Sequence, residues 1–531
     1  MMKSILIFSP PGFSPFVPTS AGPTIAAYLQ AKGICAEEID LNSNFVSKIS
    51  NGVFNSYFST ENLLLFHQVA LEFSDFVDLS KIYKKSMLDL TLDDLFDLPN
   101  SFLGDYVISE LDSNVIKDFD VIGISITVTR QLYSALLIAR FVKENYPNKL
   151  IVLGGSAISS LFEQITYAPK FFDFFDYVVK ADGCIPLLEI LNDYPKNKIH
   201  SIAYRDNDLV FFNNLSKLPD DLYFYPPYYQ LKHLKNYPKP LLLGIPTHVG
   251  CYYAKCAFCD YGTVGSYKYN HCGSNPLIKT IESFKNNLNV DGFYFMGAGM
   301  HPKDFKSLAQ SINERDLNIK WSAESLTVKF SHDAVTEIKN SGCINLDFGL
   351  ESASPVIRDF LNKGIKIETF KETLNVFREV DFKSTTVNLI LTYPVGEKKE
   401  LDETLDFLRE YQDIIFHAHQ SSKLDLRGYN DYYYTLHNYS ETVVSARPTT
   451  LIRDFPYPID DTLLDYWLEQ FKPLKISGHF DWKRCADVSL IDHALYISHQ
   501  SDTAWDSMRN SLKNMDNFLL PPEQNKSYHA W

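Results

Sequence analysis

The sequence predicts an α/β protein of two units in series. An N-terminal, Rossmann-like doubly wound parallel sheet is followed by a partial (β/α)6 TIM-like barrel and a C-terminal α/β or helical segment. Three observations predict this. Short apolar runs bounded by turn residues alternate with helical patterns twice along the chain, as parallel sheets with crossover helices do. A proline-rich stretch, 218–246, separates the two alternations. The 531 residues also exceed one ordinary core, so more than one domain is required. The expected divisions are 1–195, a hairpin and linker over 196–240, the barrel over 241–420, and 421–531.

In the first unit, residues 4–8 (SILIF) and 36–41 (AEEIDL) read as strands around a helix at 22–32. FDVIGIS at 119–125 has the continuous apolar character of a strand buried on both faces. A helix at 130–145, KLIVLGGSA at 149–157, a helix at 159–165 and YVVKAD at 177–182 complete the alternation. Residues 43–117 are too long for a plain crossover and read as a helical insertion. Residues 200–215 read as a hairpin turning at Asp206–Asp208. Ligands of such sheets lie beyond the carboxyl ends of the strands, which singles out the loops Ser9–Thr19, Ser125–Thr129, Gly154–Ser159 and Ala181–Pro186.

In the second unit the strand candidates are 241–247, 292–297, 319–323, 344–350, 385–391 and 414–420. Barrel chemistry sits at the C-terminal ends of the strands. The last ~110 residues carry aromatics and polar residues, including Tyr429 and Tyr432 to Tyr434, with no clear period. These tyrosines are candidates to close a cavity between the units.

The formal net charge is −15, from 50 Lys and Arg against 65 Asp and Glu. Phosphate backbones and anionic bilayers are held by clustered cations, so neither nucleic acid nor a membrane surface is the expected partner. No apolar run approaches the ~18 residues that span a bilayer. The start, MMKSILIFSPP, lacks a small-residue cleavage site, and Pro10 and Pro11 interrupt its apolar stretch; a cytoplasmic protein is expected.

Eight cysteines are spread over the chain, and three of them fall in GCYYAKCAFCDYG at 250–262. That is not a disulfide framework. Cys251, Cys256 and Cys259 give C-x4-C-x2-C directly after the first barrel strand. Three thiolates so spaced ligate three irons of a cubane and leave the fourth iron open to another ligand. Zinc is the other use of such thiols; it would need a fourth ligand, for which Cys272 and His271 are the candidates. Cys35, Cys184, Cys343 and Cys485 are expected to be small buried hydrophobes.

This motif resembles the radical S-adenosylmethionine (SAM) superfamily, whose usual spacing is C-x3-C-x2-C with an aromatic before the last cysteine, here Phe258. One extra residue separates Cys251 from Cys256, a form similar to that of cobalamin-type members that modify peptides. FMGAGM at 295–300, WSAES at 321–325, DFGLESAS at 347–354 and NLILTYPVGE at 388–397 resemble the segments that follow successive barrel strands in that family. The resemblance implies a 4Fe–4S cluster on the three cysteines and SAM contacts from Phe258, Tyr261, Gly297, Ala298, Glu324, Glu351 and Ser352. Residues 1–190 resemble the cobalamin-binding domain that precedes many such barrels. That implies cobalamin contacts from Pro11, Ser125, Thr127, Gly154, Gly155, Ser156, Asp182 and Gly183. There is no D-x-H-x-x-G in the chain, so no histidine is placed in the familiar way beneath cobalt.

The activity implied by the resemblance is methylation of an unactivated carbon of a peptide or small-metabolite substrate. The substrate would enter between the units, with electrons from an external donor such as flavodoxin or ferredoxin. The alternatives are a non-methylating radical rearrangement, dehydrogenation or cyclisation, and a non-catalytic metal- or cobalamin-binding regulator.

Overall fold

The computed structural model describes residues 3–519 except 87–89, 112, 167, 220, 223–226, 228, 260–268, 383, 394, 422, 427–454, 481–492 and 497–501. Two seven-stranded sheets dominate it. The first contains β1 (Ile5–Ser9), β2 (Ala36–Asp40), β3 (Val121–Ser125), β4 (Leu150–Gly154), β5 (Tyr177–Val179), β6 (Ile202–Asp206) and β7 (Leu209–Phe212). Their order is β2-β1-β3-β4-β5-β6-β7, with the first five strands parallel. This is the doubly wound 2-1-3-4-5 order, whose ligand crevice opens between the loops after β1 and β3.

β1 and β3 are buried at every residue, which explains why both read as unbroken apolar runs. The hairpin does more than link. β6 runs antiparallel to β5 and β7 antiparallel to β6, so the pair extends the sheet and covers its edge. The insertion between β2 and β3 is helical, its longest helix being Leu63–Phe76. Phe54, Phe58 and Phe66 from this insertion meet Phe16 of the β1 loop in an aromatic cluster. The ring of His493 lies 5.7 Å from Phe16 and 5.9 Å from Phe58, so the C-terminal segment reaches the first unit.

The linker packs across the carboxyl end of β2. Tyr237 donates to Asp40 Oδ2 at 2.8 Å and accepts from Asn42 Nδ2 at 3.1 Å. The insertion also touches the second unit, where Tyr57 donates to Asp291 Oδ1 at 2.8 Å.

The second unit begins with β8 (Leu242–Pro246). A two-residue ladder, β9 (His248–Val249) against β10 (Asn270–His271), brackets the cysteine loop. Then come β11 (Gly292–Met296), β12 (Lys320–Leu326), β13 (Cys343–Glu351), β14 (Thr385–Ile390) and β15 (Ile415–Ser421). β16 (Lys423–Leu426) pairs antiparallel with β17 (Phe455–Pro458), and β18 (Ser477–Phe480) returns to the parallel sheet. The order is β8-β11-β12-β13-β14-β15-β18. The barrel sheet therefore has one strand more than the six expected, taken from the segment assigned to a separate C-terminal domain. SGHF is four residues long and has no alternation of its own, so sequence pattern alone gives it no strand signal.

Along this sheet the faces divide cleanly. Leu243, Phe293, Phe295, Trp321, Leu346, Phe348, Val387, Leu389 and Phe416 are buried on one side, toward the helices. The registers Glu324↔Asp347, Asp347↔Thr386, Thr386↔His417 and His417↔Ser477 put a polar row on the other. A barrel interior of this kind is ordinarily packed with branched apolar residues; this one is not.

Cys184 and Cys343 are buried as expected, but Cys35 is exposed. It follows Gly33, which has φ +81° and ends the helix Ala21–Ala31; the turn into β2 carries the side chain outward. Cys485, Tyr429 and Tyr432 to Tyr434 lie outside the described residues. Among the described residues no helix is long and apolar enough to cross a membrane.

Candidate functional site

The cysteine loop leaves the carboxyl end of β8. Gly250 has φ +69° and Ala254 has φ +49°, so the loop turns left-handed twice. Ala254 lies between Cys251 and Cys256 and accommodates the extra residue of the C-x4-C spacing. Its N–H points to Cys251 Sγ at 3.5 Å. Cys251, Cys256 and Cys259 are half-buried and form no disulfide. Burial pushes the Cys256 thiol up to about 11; the Lys363 ammonium acts against this, while the Cys259, Glu351 and Cys251 charges add to it.

Among the described residues no three His, Cys, Asp or Glu side chains converge as ligands of one metal ion do. A cubane takes each cysteine on a different iron, so its thiolates stand around the cluster rather than at one point. Of the candidate fourth ligands for zinc, Cys272 is engaged, whereas His271 is engaged at Nδ1 and its Nε2 is buried with no partner among the described residues. Cys272 Sγ donates to the Thr247 carbonyl at 2.9 Å, and burial pushes its thiol up to about 12. His271 Nδ1 accepts from Gly273 N at 3.0 Å. The three-thiol loop suits a three-cysteine cluster.

The other barrel residues fall around the same mouth. Gly297 and Ala298 follow β11 and are half-buried. A Cβ on Gly297 would stand 2.0 Å from His248 Cε1, so only glycine lets the chain pass under that imidazole. Burial lowers His248 to about 4, and its Nε2 is buried with no partner among the described residues. Glu324, on β12, is solvent-accessible yet ringed by protein, which raises its carboxyl; Tyr294 donates to it at 2.7 Å.

Glu351 sits at a register shift of β13 with φ +61°. It accepts from Lys363 Nζ at 3.1 Å, and both side chains are almost wholly buried. Ser352 is turned to the protein, with its Oγ 3.1 Å from Thr404 Oγ1 and accepting from Ser354 N at 3.1 Å. Its geometry is that of a turn-former. Phe258 is half-buried, with Lys363 Nζ 5.8 Å from its ring. Tyr261 lies outside the described residues.

Several side chains of this region had no distinctive sequence signal. Arg358, 3% exposed, donates to the carbonyls of Leu350, Ser352 and Ile365 and to Thr327 Oγ1 at 2.8–3.2 Å. It locks the Glu351 turn from behind. Asp347 accepts from Asn388 Nδ2 at 2.9 Å and lies 3.8 Å from His419 Nε2. His417 Nδ1 lies 2.7 Å from Ser477 Oγ. Only strand placement marked Asp347, Asn388, His417 and His419, and nothing marked Arg358, which lies in the helix Pro355–Phe360.

In the first unit the loops Ser9–Thr19, Ser125–Thr129 and Gly154–Ser159 gather at the β1/β3 crevice, and the Ala181–Pro186 loop, after β5, is tied to the last of these by Ala181 N donating to Ser159 Oγ at 2.8 Å. Gln131 ties them together: its Oε1 accepts from Thr127 N at 2.7 Å and its Nε2 donates to Pro10 O at 2.6 Å. Arg130 donates to the Gly12 and Phe13 carbonyls. Thr127 Oγ1 lies 3.4 Å from Thr19 Oγ1, and Ser156 Oγ donates to the Thr127 carbonyl at 2.8 Å. Gly155 has φ +111°, and a Cβ there would fall 2.1 Å from Ile126 O; the β3 and β4 loops touch backbone to backbone.

Gly154 and Gly155 are half-buried and Ser156 is exposed, whereas Pro11 and Ser125 are buried. Asp182 accepts from Cys184 N at 2.9 Å and so caps the next helix, with half-buried Gly183 between. Small residues at these strand ends, with their loops cross-tied, would suit a flat ligand laid on them.

Residues 245–408 match the family model described as the radical SAM superfamily. The chain is 22% identical over 322 residues to an uncharacterized methyltransferase of Pyrococcus horikoshii, covering 56% of this chain and 66% of that protein. It is 23% identical over 330 residues to the anaerobic magnesium-protoporphyrin IX monomethyl ester cyclase of Cereibacter sphaeroides, covering 58% and 53%. The chain thus spans about two-thirds and about half of the lengths of these relatives.

Among solved structures it is similar to the radical SAM methyltransferase TsrM of Kitasatospora setae, with cobalamin and a [4Fe-4S] cluster bound. That match has a TM-score of 0.57 at 13% identity and covers 81% of this chain and 74% of that one. It is similar also to the cobalamin-dependent radical SAM enzyme OxsB, with aqua-cobalamin and SAM bound, at a TM-score of 0.60 and 12% identity over 88% and 66%. The protein therefore matches the radical SAM superfamily over residues 245–408, behind a parallel-sheet domain, and shares its fold with the solved cobalamin-dependent radical SAM enzymes.

Proposed function

We propose that this protein is a cobalamin-dependent radical SAM enzyme that methylates an unactivated carbon of a peptide or small-metabolite substrate. The observation that carries this reading is the conjunction, in one chain, of the three-thiol loop on the first barrel strand and a β1/β3 crevice of small, cross-tied residues. Bound together, a 4Fe–4S cluster, SAM and cobalamin would supply hydrogen abstraction and a methyl group.

The chain's own residues hold and orient. Cys251, Cys256 and Cys259 would ligate the cluster. Gly297 and Ala298 offer backbone, and Glu324 and Glu351 offer carboxylates, at the mouth where SAM would lie. Pro11, Ser125, Thr127, Gly154, Gly155, Ser156, Asp182 and Gly183 form or support the crevice proposed for cobalamin. The polar barrel wall and the C-terminal segment would seat the substrate and keep water out. Electrons would come from an external flavodoxin or ferredoxin, in a reducing cytoplasm that keeps the thiols free of disulfides.

The likeness to a cyclase keeps a second reading in view, in which the cluster and SAM, without methyl transfer from cobalamin, serve rearrangement, ring closure or dehydrogenation. Reconstituted protein given SAM, hydroxocobalamin and a reductant separates the two. Methyl transfer predicts corrin retained through gel filtration, and S-adenosylhomocysteine formed alongside 5′-deoxyadenosine. 5′-Deoxyadenosine alone, with no corrin retained, would favour the second.

A further inference from the structure

The turn Leu361–Gly364 is bound to the cysteine loop along its length. Tyr253 donates to the Asn362 carbonyl at 2.6 Å, Asn362 Nδ2 donates to the Lys255 carbonyl at 2.8 Å, and Ala257 N donates to the Leu361 carbonyl at 2.9 Å. Every second residue of the loop, 253, 255 and 257, is thus tied. The turn takes a strained shape to do this. Asn362 has φ +51° and Gly364 has φ +67°, and a Cβ on Gly364 would lie 2.1 Å from the Tyr253 hydroxyl. Between these two left-handed residues stands Lys363, its side chain 4% exposed, held 3.1 Å from Glu351 and 5.8 Å from the Phe258 ring.

A buried ion pair is weak evidence of stabilisation, because desolvation offsets much of the Coulomb gain. Left-handed backbone is costly at a residue such as Glu351 and milder at asparagine, and it persists where the surroundings over-determine it. Glu351 and Asn362 both carry that strain to bring one ammonium to the cysteine loop.

We propose that the turn Leu361–Gly364 is the second wall of the cluster site, and that the Lys363 ammonium, tempered by Glu351, sets the reduction potential of the cluster. This rests on the reading of Cys251, Cys256 and Cys259 as cluster ligands. Net charge and hydrogen bonding at the sulfurs are the protein's main control over such potentials. A cluster that gains one electron gains one negative charge, which a poorly solvated cation nearby stabilises. Lys363 therefore raises the potential and Glu351 lowers it.

The test is a potentiometric titration of the reconstituted full chain, followed by electron paramagnetic resonance without SAM. Lys363→Met is expected to lower the reduced-to-oxidised ratio at a fixed solution potential by tenfold or more, which is 59 mV for one electron. Glu351→Gln is expected to shift the ratio the opposite way, and Lys363→Arg to stay near wild type. A merely mechanical tether would change cluster content without moving the potential.

Potentials of Lys363→Met and Glu351→Gln that match wild type, or that move in the same direction, overturn the inference. If Lys363→Met takes up no cluster, a raised potential in Glu351→Gln with Lys363→Arg near wild type supports the inference, and an unmoved or lowered potential in Glu351→Gln overturns it. Wild-type chain that takes up no iron overturns the cluster reading and this inference with it. Loaded wild type with unmoved variants overturns this inference alone.

Discussion

The two seven-stranded sheets solve different problems with similar topology. In the first, Ile5, Leu6, Ile7 and Phe8 of β1 and Val121, Ile122 and Ile124 of β3 are at most 2% exposed; both faces are apolar and covered. Such a sheet can meet a ligand only through the loops at its strand ends. In the barrel, alternate residues of β12 to β15 turn Glu324, Asp347, Asn388, His417 and His419 to the inner face. There Glu324, exposed, and Asn388, half-buried, can meet a ligand from the wall itself. One sheet is a platform and the other is a vessel, and changes in them should fail differently.

The largest difference should come from the cysteines. Replacing Cys251, Cys256 and Cys259 together with alanine is expected to take iron and sulfide from about four of each per chain to near zero in anaerobic reconstitution. The far-UV circular dichroism should stay at the wild-type level, because the loop contributes little to either core. Retention of a full cluster would refute the ligand assignment.

Gly155→Val is expected to damage the platform and spare the vessel. It forces a side chain onto Ile126 O at φ +111°, at a cost of ~1–3 kcal/mol, and displaces the Gly154–Ser156 loop. Hydroxocobalamin retention on gel filtration should fall at least tenfold while iron content is unchanged. Equal loss of both would mean that the two sites are not separable.

The smallest effect concerns buried carboxylates. In the barrel, Glu351 is offset by Lys363. In the first sheet, Glu38 and Asp40 are buried with hydroxyl and amide partners: Ser9 donates to Glu38 at 2.8 Å, and Tyr237 and Ser43 N donate to Asp40. Burial and the Asp40 charge push Glu38 well up, and burial carries Asp40 to about 6. An acid whose folded pKa is raised keeps a proton that the unfolded chain releases. Stability is then greatest below the unfolded carboxylate range, ~4, and declines as pH rises through the folded value. Glu38→Gln should flatten that decline, with a higher unfolding temperature at pH 8 and little change at pH 4. A wild-type slope in the variant would show that Glu38 does not carry it.

Most strands of both sheets were legible because continuous apolar runs and turn residues bound them, and β8 and β11 to β15 fall within a few residues of the expected spans. The three-cysteine loop was legible as a candidate cluster site because three thiols in nine residues have few uses. The rest depended on contacts between distant residues. Lys363, twelve residues past Glu351, looks like any surface lysine until the turn folds it inward. Arg358 acts on carbonyls, which leave no trace in sequence. Asp182 entered as a cobalamin contact through the resemblance of its segment; that its carboxylate accepts from Cys184 N at the start of the next helix had no separate mark in the sequence. Cys35 read as buried from its residue type, and the turn at Gly33 decided otherwise.

The return of the chain at Ser477–Phe480 bears on how the protein can be made and divided. Until residue 477 has been synthesised, β15 presents an unpaired strand edge, and buried His417 lacks the Ser477 hydroxyl at its Nδ1. A fragment ending near 420, a natural boundary by sequence, would expose that edge to neighbouring chains and associate. Expression of the barrel alone should therefore extend past Phe480, and on the ribosome its sheet is completed late, after the first unit has had time to fold.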